Sequence, residues 1–107
     1  MLSDEYRYKI LRLVEENPEI SQRGLARLLG ISLGKVNYCV QALIETGLIK
    51  ADNFKNNQHK RAYMYYLTRK GVAAKTTATT TFLKSKLAEY EALRAEIDKL
   101  KRESARR

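Results

Sequence analysis

The spacing of helix breakers limits this chain more than any other feature. Asn17-Pro18, Gly30 and Gly47 divide residues 4–47 into three short segments, each with apolar residues at helical intervals. Tyr6, Ile10, Leu13 and Val14 recur at such intervals, so a first helix is expected from about Asp4 to Asn17, where the proline ring clashes with a continuing helix. Ser21 is a good N-cap for a second helix, whose Leu25, Leu28 and Leu29 should face the first. Gly30 closes it, Ile31 is expected in the buried turn, and Ser32 caps a third helix ending near Gly47.

At about 100° per residue, the third helix gathers Val36, Val40 and Leu43 on one side, flanked by Cys39 and Ile44. That side should be core. The opposite arc holds Gly34, Lys35, Tyr38, Gln41 and Ala42, with Asn37 at its edge, and meets no acid before Glu45. Such an arc can hydrogen-bond a partner, whereas a plain surface helix would only solvate it.

Two runs rich in β-formers follow, Leu48 to Phe54 and Ala62 to Leu67, joined by the polar, basic segment 55–60. They predict a hairpin. Tyr63, Tyr65 and Tyr66 could form a stacking platform, but packing of these rings against the helices is the expected outcome. Thr68 can cap a last helix that starts at Arg69 and continues past Leu100. Its apolar residues fit a heptad, with Leu83, Tyr90 and Ile97 at one seam position, Leu93 and Leu100 at the other, Lys86 interrupting the second, and Leu87 alongside. These residues are the expected dimerisation face, with the two helices either parallel or antiparallel. The β-branched run Thr76–Thr81 costs helix propensity, and reads either as a hinge or as an ordinary helical stretch. The expected fold class is thus mainly α with a small β-hairpin, with residues 1–74 as the domain and 75–107 as a helical arm.

The chain carries 21 Lys and Arg against 12 Asp and Glu, a net charge of +9 that favours anionic partners. The charge is not spread evenly. Residues 1–19 hold three basic and five acidic side chains, residues 20–71 nine basic and two acidic, so the positive field belongs to the middle of the chain. Cys39 is the only cysteine, and with His59 as the only histidine no zinc or iron site is expected. Cys39 reads as a small buried hydrophobe rather than a redox switch, and a lone loop histidine gives no reason for a pH sensor. No nucleophile, base and oxyanion set or carboxylate pair appears at usable spacing, so no enzyme and no cofactor are expected. No apolar run is long enough to span a membrane and residues 1–5 lack a signal peptide's regions, so a cytoplasmic location is expected.

Helix, helix, turn, helix and a basic-tipped hairpin is the order of a winged helix-turn-helix. The stretch Ser21–Ser32, then Val36, Leu43, Gly47-Leu48-Ile49 and Leu67-Thr68-Arg69-Lys70-Gly71, resembles the MarR-type winged-helix pattern. Within it, Ile31–Cys39 and Ala88–Leu93 resemble the small MarR-family regulators associated with exopolysaccharide gene clusters. The resemblance implies a reading helix over Ser32–Gly47 and a wing arginine at Arg61. It also shows departures. His59 stands where the wing commonly has an aspartate that braces the arginine. Gly24 stands where related second helices commonly have glutamate, which removes a capping-box partner for Ser21 and costs about 1 kcal/mol of helix propensity relative to alanine. A single long C-terminal helix replaces dimerisation helices at both ends, so no ligand pocket or small-molecule effector is carried over.

The sequence therefore predicts a homodimer that binds double-stranded DNA and regulates transcription. Gln22, Arg23, Ser32, Gly34, Lys35, Asn37, Tyr38 and Gln41 would meet the major groove and its phosphates, and Lys55, Lys60 and Arg61 a flanking backbone or minor groove. Asn37 and Gln41 suit adenine; Lys35 suits guanine or phosphate. A winged-helix protein-interaction module, with the arm seeking a different protein, is the competing class, and RNA binding would satisfy the charge alone.

Overall fold

A computed structural model describes residues 3–53 and 63–106. Its elements run α1 (Asp4–Glu16), α2 (Gln22–Leu29), α3 (Leu33–Glu45), β1 (Ile49–Asn53), β2 (Tyr63–Leu67) and α4 (Arg69–Ala105). The expected class holds: a three-helix unit, an antiparallel hairpin and a long C-terminal helix.

Each helix begins at a side-chain cap. Ser3, Ser21, Ser32 and Thr68 accept the backbone N–H three residues on, satisfying a donor that would otherwise lack a partner. Gly30 ends α2 in the left-handed region at φ 68°, and Gly47 turns the chain out of α3 at φ 76°. The core gathers Ile10, Leu11 and Val14 of α1, Leu25 of α2, Val36, Cys39, Val40 and Leu43 of α3, and Leu48, Ile49 and Tyr65 of the hairpin.

β1 pairs with β2 in the register Ile49 to Leu67 and Ala51 to Tyr65. The far edge of β2 is also engaged, because the Tyr65 N–H donates to the Pro18 carbonyl at 2.9 Å. Period-two alternation buries Tyr65 and turns Tyr66 outward beside Lys50, so the packing expected for all the tyrosines fails at Tyr66. Leu28 is a second correction. It is 64% exposed, because only Leu25 and, partly, Leu29 lie on the side of α2 that the core covers.

α4 spans 37 residues, about 55 Å at 1.5 Å per residue. It runs unbroken through Thr76–Thr81, where the hydroxyls of Thr76, Thr79 and Thr80 donate to carbonyls four residues back. In this structure the run is regular α-helix, as the ordinary-helix reading expects. Packing on α1 extends beyond residue 75: Lys75 pairs with Glu15, Ala78 is buried, and the Phe82 ring stacks on Tyr8 at 5.2 Å. Beyond Phe82 every described residue of the helix is exposed.

Candidate nucleic-acid interface

A chain of side-chain hydrogen bonds links the two helices of the turn. The Asn37 amide donates to the Gln22 side-chain carbonyl at 3.2 Å, and the Gln22 amide donates to the Tyr65 hydroxyl at 3.4 Å. Tyr65 is 5% exposed, so this chain runs from solvent-facing α3, across the start of α2, into the hairpin core. Gln22 is half-buried and Asn37 is exposed. Both predicted contact residues thus have an internal partner as well as a surface position.

Gly34, Lys35, Asn37, Tyr38 and Gln41 all lie on the exposed side of α3, opposite buried Val36, Val40 and Leu43. Tyr38 is 57% exposed. Gly34 has open space around it, with no atom within 4 Å of where a Cβ would lie. The Ser32 hydroxyl accepts the Lys35 N–H at 3.1 Å, so its position is fixed by the cap. Arg23 is exposed on α2. Lys55, Lys60, Arg61 and His59 lie outside the described residues.

Two features of this face were not legible in the sequence pattern. The Lys35 ammonium sits 4.5 Å from the centre of the Tyr6 ring, so the cation rests on α1 rather than extending freely. Leu28 and Leu33 are both exposed beside the polar arc, at 64% and 42%, adding apolar surface where a thymine methyl or sugar could pack. Gly24 also acquires a local explanation: a Cβ there would come within 3.1 Å of Ile20 Cγ1 and 3.3 Å of Ser21 Oγ, so the missing side chain leaves room for the buried Ile20.

Electrostatically the face is one-signed. α2 has no acid, and α3 has none before Glu45, while Arg23, Arg27 and Lys35 are exposed along it. The N-terminus of α3 adds a partial positive charge to the same region. Cys39, on the inward side, has its thiol pKa pushed up by burial, an effect that nearby Lys35 partly opposes. Among the described residues, no group of three or more His, Cys, Asp or Glu could hold a metal ion. No helix among them is long and apolar enough to cross a membrane.

Comparison with known proteins agrees with this architecture. Residues 3–50 match the family model described as winged helix-turn-helix DNA-binding. No curated protein matches the chain. Among solved structures, wild-type ZitR of Lactococcus lactis in complex with DNA is 26% identical, with a TM-score of 0.64, over 87% of this chain and 60% of that one. FabT of Streptococcus pneumoniae in complex with DNA is 19% identical, with a TM-score of 0.60, over 80% and 58%. A MarR family protein of Mycobacterium tuberculosis in complex with salicylic acid is 17% identical, with a TM-score of 0.62, over 89% and 75%. The chain thus spans less than two thirds of the length of the ZitR and FabT chains that it matches. The fold is a winged helix-turn-helix, structurally close to MarR-family regulators.

Proposed function

We propose that this chain is a homodimeric transcriptional regulator of the cytoplasm that reads double-stranded DNA with the outer arc of α3. One observation carries the reading. The side of the turn that faces solvent is hydrogen-bond capable along the outer arc of α3 and free of carboxylates from Gln22 to Ile44, with Arg23, Arg27 and Lys35 exposed. A duplex would supply the phosphates for those cations, and base edges for Asn37, Tyr38 and Gln41. The ZitR and FabT structures in complex with DNA lend the reading support from the same fold. Lys55, Lys60 and Arg61 would extend the contact along the flanking backbone. The resemblance of Ile31–Cys39 and Ala88–Leu93 to exopolysaccharide-associated regulators points to genes of that pathway as targets.

Selection of a random duplex library by the purified protein, followed by footprinting, tests the proposal. A near-palindromic site should emerge, with affinity falling by about a decade or more over a several-fold rise in salt. Arg23→Ala and Arg61→Ala should weaken binding to every sequence alike, because phosphate contacts carry no sequence information. No enrichment over the starting library, with salt-insensitive association, would overturn the reading. A stable complex with a different protein would then favour the interaction-module alternative.

A further inference from the structure

The outer part of α4 carries an apolar stripe that no described residue covers: Leu83, Leu87, Tyr90, Leu93, Ile97 and Leu100 are between 42% and 57% exposed. A helix with such a stripe needs a partner surface, and the charges beside the stripe say which one. With Leu83, Tyr90 and Ile97 at heptad position a and Leu93 and Leu100 at d, position g is Glu89, Glu96 and Glu103, whereas position e is Arg94 and Lys101. One flank is acidic and the other basic.

In a parallel, in-register pair of arms, each g residue meets the e residue five positions further along the partner. Glu89 then faces Arg94 and Glu96 faces Lys101, on both sides of the seam. An antiparallel pair instead sets g against g and e against e, which places carboxylate beside carboxylate and cation beside cation. Exposed Leu87 at e discriminates in the same sense, because an antiparallel pair would set it against a cationic e residue. Lys86 at d is already drawn aside: its ammonium lies 5.2 Å from the Phe82 ring centre and 3.5 Å from Glu89.

We infer that the arm recognises a second copy of this chain, and that the two arms form a parallel, in-register, two-stranded coiled coil. The inference rests on the dimeric regulator proposed above, and fixes a geometry that the reading left open. A parallel pair puts both winged domains at the same end of the coil, so both α3 helices serve adjacent half-sites of one duplex. An antiparallel pair would put the domains at opposite ends of the paired segment.

Cysteine cross-linking of the full chain tests the orientation. Lys86→Cys and Ser104→Cys replace exposed seam residues, and native Cys39 is only 2% exposed. Each variant alone should oxidise to a covalent dimer. An equimolar mixture should give no 86-to-104 disulfide, because those positions lie about 27 Å apart along parallel helices, far beyond disulfide reach. An 86-to-104 disulfide as the main product would overturn the parallel arrangement and leave the dimer standing. Glu89→Lys with Glu96→Lys should weaken self-association by about tenfold or more, and adding Arg94→Glu with Lys101→Glu should restore it. Unchanged self-association in the first variant would also overturn the pairing. Sedimentation equilibrium of the wild type separates the two levels, since a monomer at micromolar concentration would sink the dimer itself, while DNA affinity reports independently on the reading helix.

Discussion

Gly71 lies so close to the carbonyl of Leu48 that a Cβ at position 71 would overlap that oxygen. The contact fixes how the first turn of α4 docks on the base of the hairpin. Around it, Thr68 accepts the Gly71 N–H at 3.0 Å and donates to the Gly47 carbonyl at 2.6 Å, while Lys70 donates to the Thr46 carbonyl at the end of α3 at 3.0 Å. The end of α3, the base of the hairpin and the start of α4 therefore meet at one junction.

Helix propensity alone predicts that glycine to alanine stabilises a helix by about 0.5–1 kcal/mol. At position 71 the sign should reverse. The Leu48 oxygen cannot retreat, because it accepts the Thr68 N–H at 3.1 Å. Gly71→Ala should cost about 2–3 kcal/mol and lower Tm by about 10–20 °C. Gly34→Ala, in open space, should leave Tm unchanged or raise it. Thermal melts followed by circular dichroism distinguish the two, and equal effects at both positions would refute the contact.

The chain Asn37–Gln22–Tyr65 predicts energetic coupling across the turn. In a double-mutant cycle on folding stability, Asn37→Ala and Gln22→Ala should couple by about 0.5–1 kcal/mol, since either change alone removes the same hydrogen bond. Tyr65→Phe should cost a similar amount by depriving half-buried Gln22 of its acceptor. Additive losses from urea unfolding would mean that the two helices are not joined this way.

Why some of this was legible in the sequence, and some not, follows from the range of the interactions. Ser21, Ser32 and Thr68 cap helices through bonds spanning three residues, and Gly30 and Gly47 end them through their own backbone angles, so residue type at one position suffices. The polar arc of α3 was equally legible, because burial of Val36, Val40 and Leu43 leaves only one side to face out. Leu28 departs from the expectation, since periodicity places it on the apolar edge of α2 but cannot say how far the neighbours reach. The Lys35–Tyr6 contact, the Gln22–Tyr65 bond and the Gly71–Leu48 approach join residues far apart in sequence. Nothing local marks them. The heptad announced an arm, and only the full length of α4 with its exposed stripe showed that no described part of the same chain covers it.

Cys39 supplies a pH dependence whose sign can be worked out. Burial holds its folded thiol pKa above the ordinary value, so between the two values the native chain binds more protons than the unfolded one. Stability should then fall as pH rises through about 8.5–9, where the unfolded thiol ionises. Cys39→Ala should remove that part of the decline, whatever it does to stability at neutral pH. The same burial predicts slow reaction with aromatic disulfide reagents at about pH 7.5 and rapid reaction in denaturant. Prompt labelling of the folded protein would show that the thiol is not enclosed.

Lys35 offers the sharpest test of how the free surface differs from a DNA-bound one. Resting on Tyr6, its ammonium gains about 0.5–1 kcal/mol of cation–π attraction at an exposed site, which must be given up if the side chain swings to a phosphate. Lys35→Ala should weaken DNA binding and lower the salt slope by about one. Tyr6→Leu should instead tighten binding by about two- to fivefold with the slope unchanged, because the cation is released before the duplex arrives. The opposite result has a distinct meaning. If Tyr6→Leu weakens binding as much as Lys35→Ala does, the ring aims the lysine at the DNA from its present position, and the cation makes its contact without leaving α1. Gel-shift titrations of both variants over a range of salt concentrations separate these outcomes.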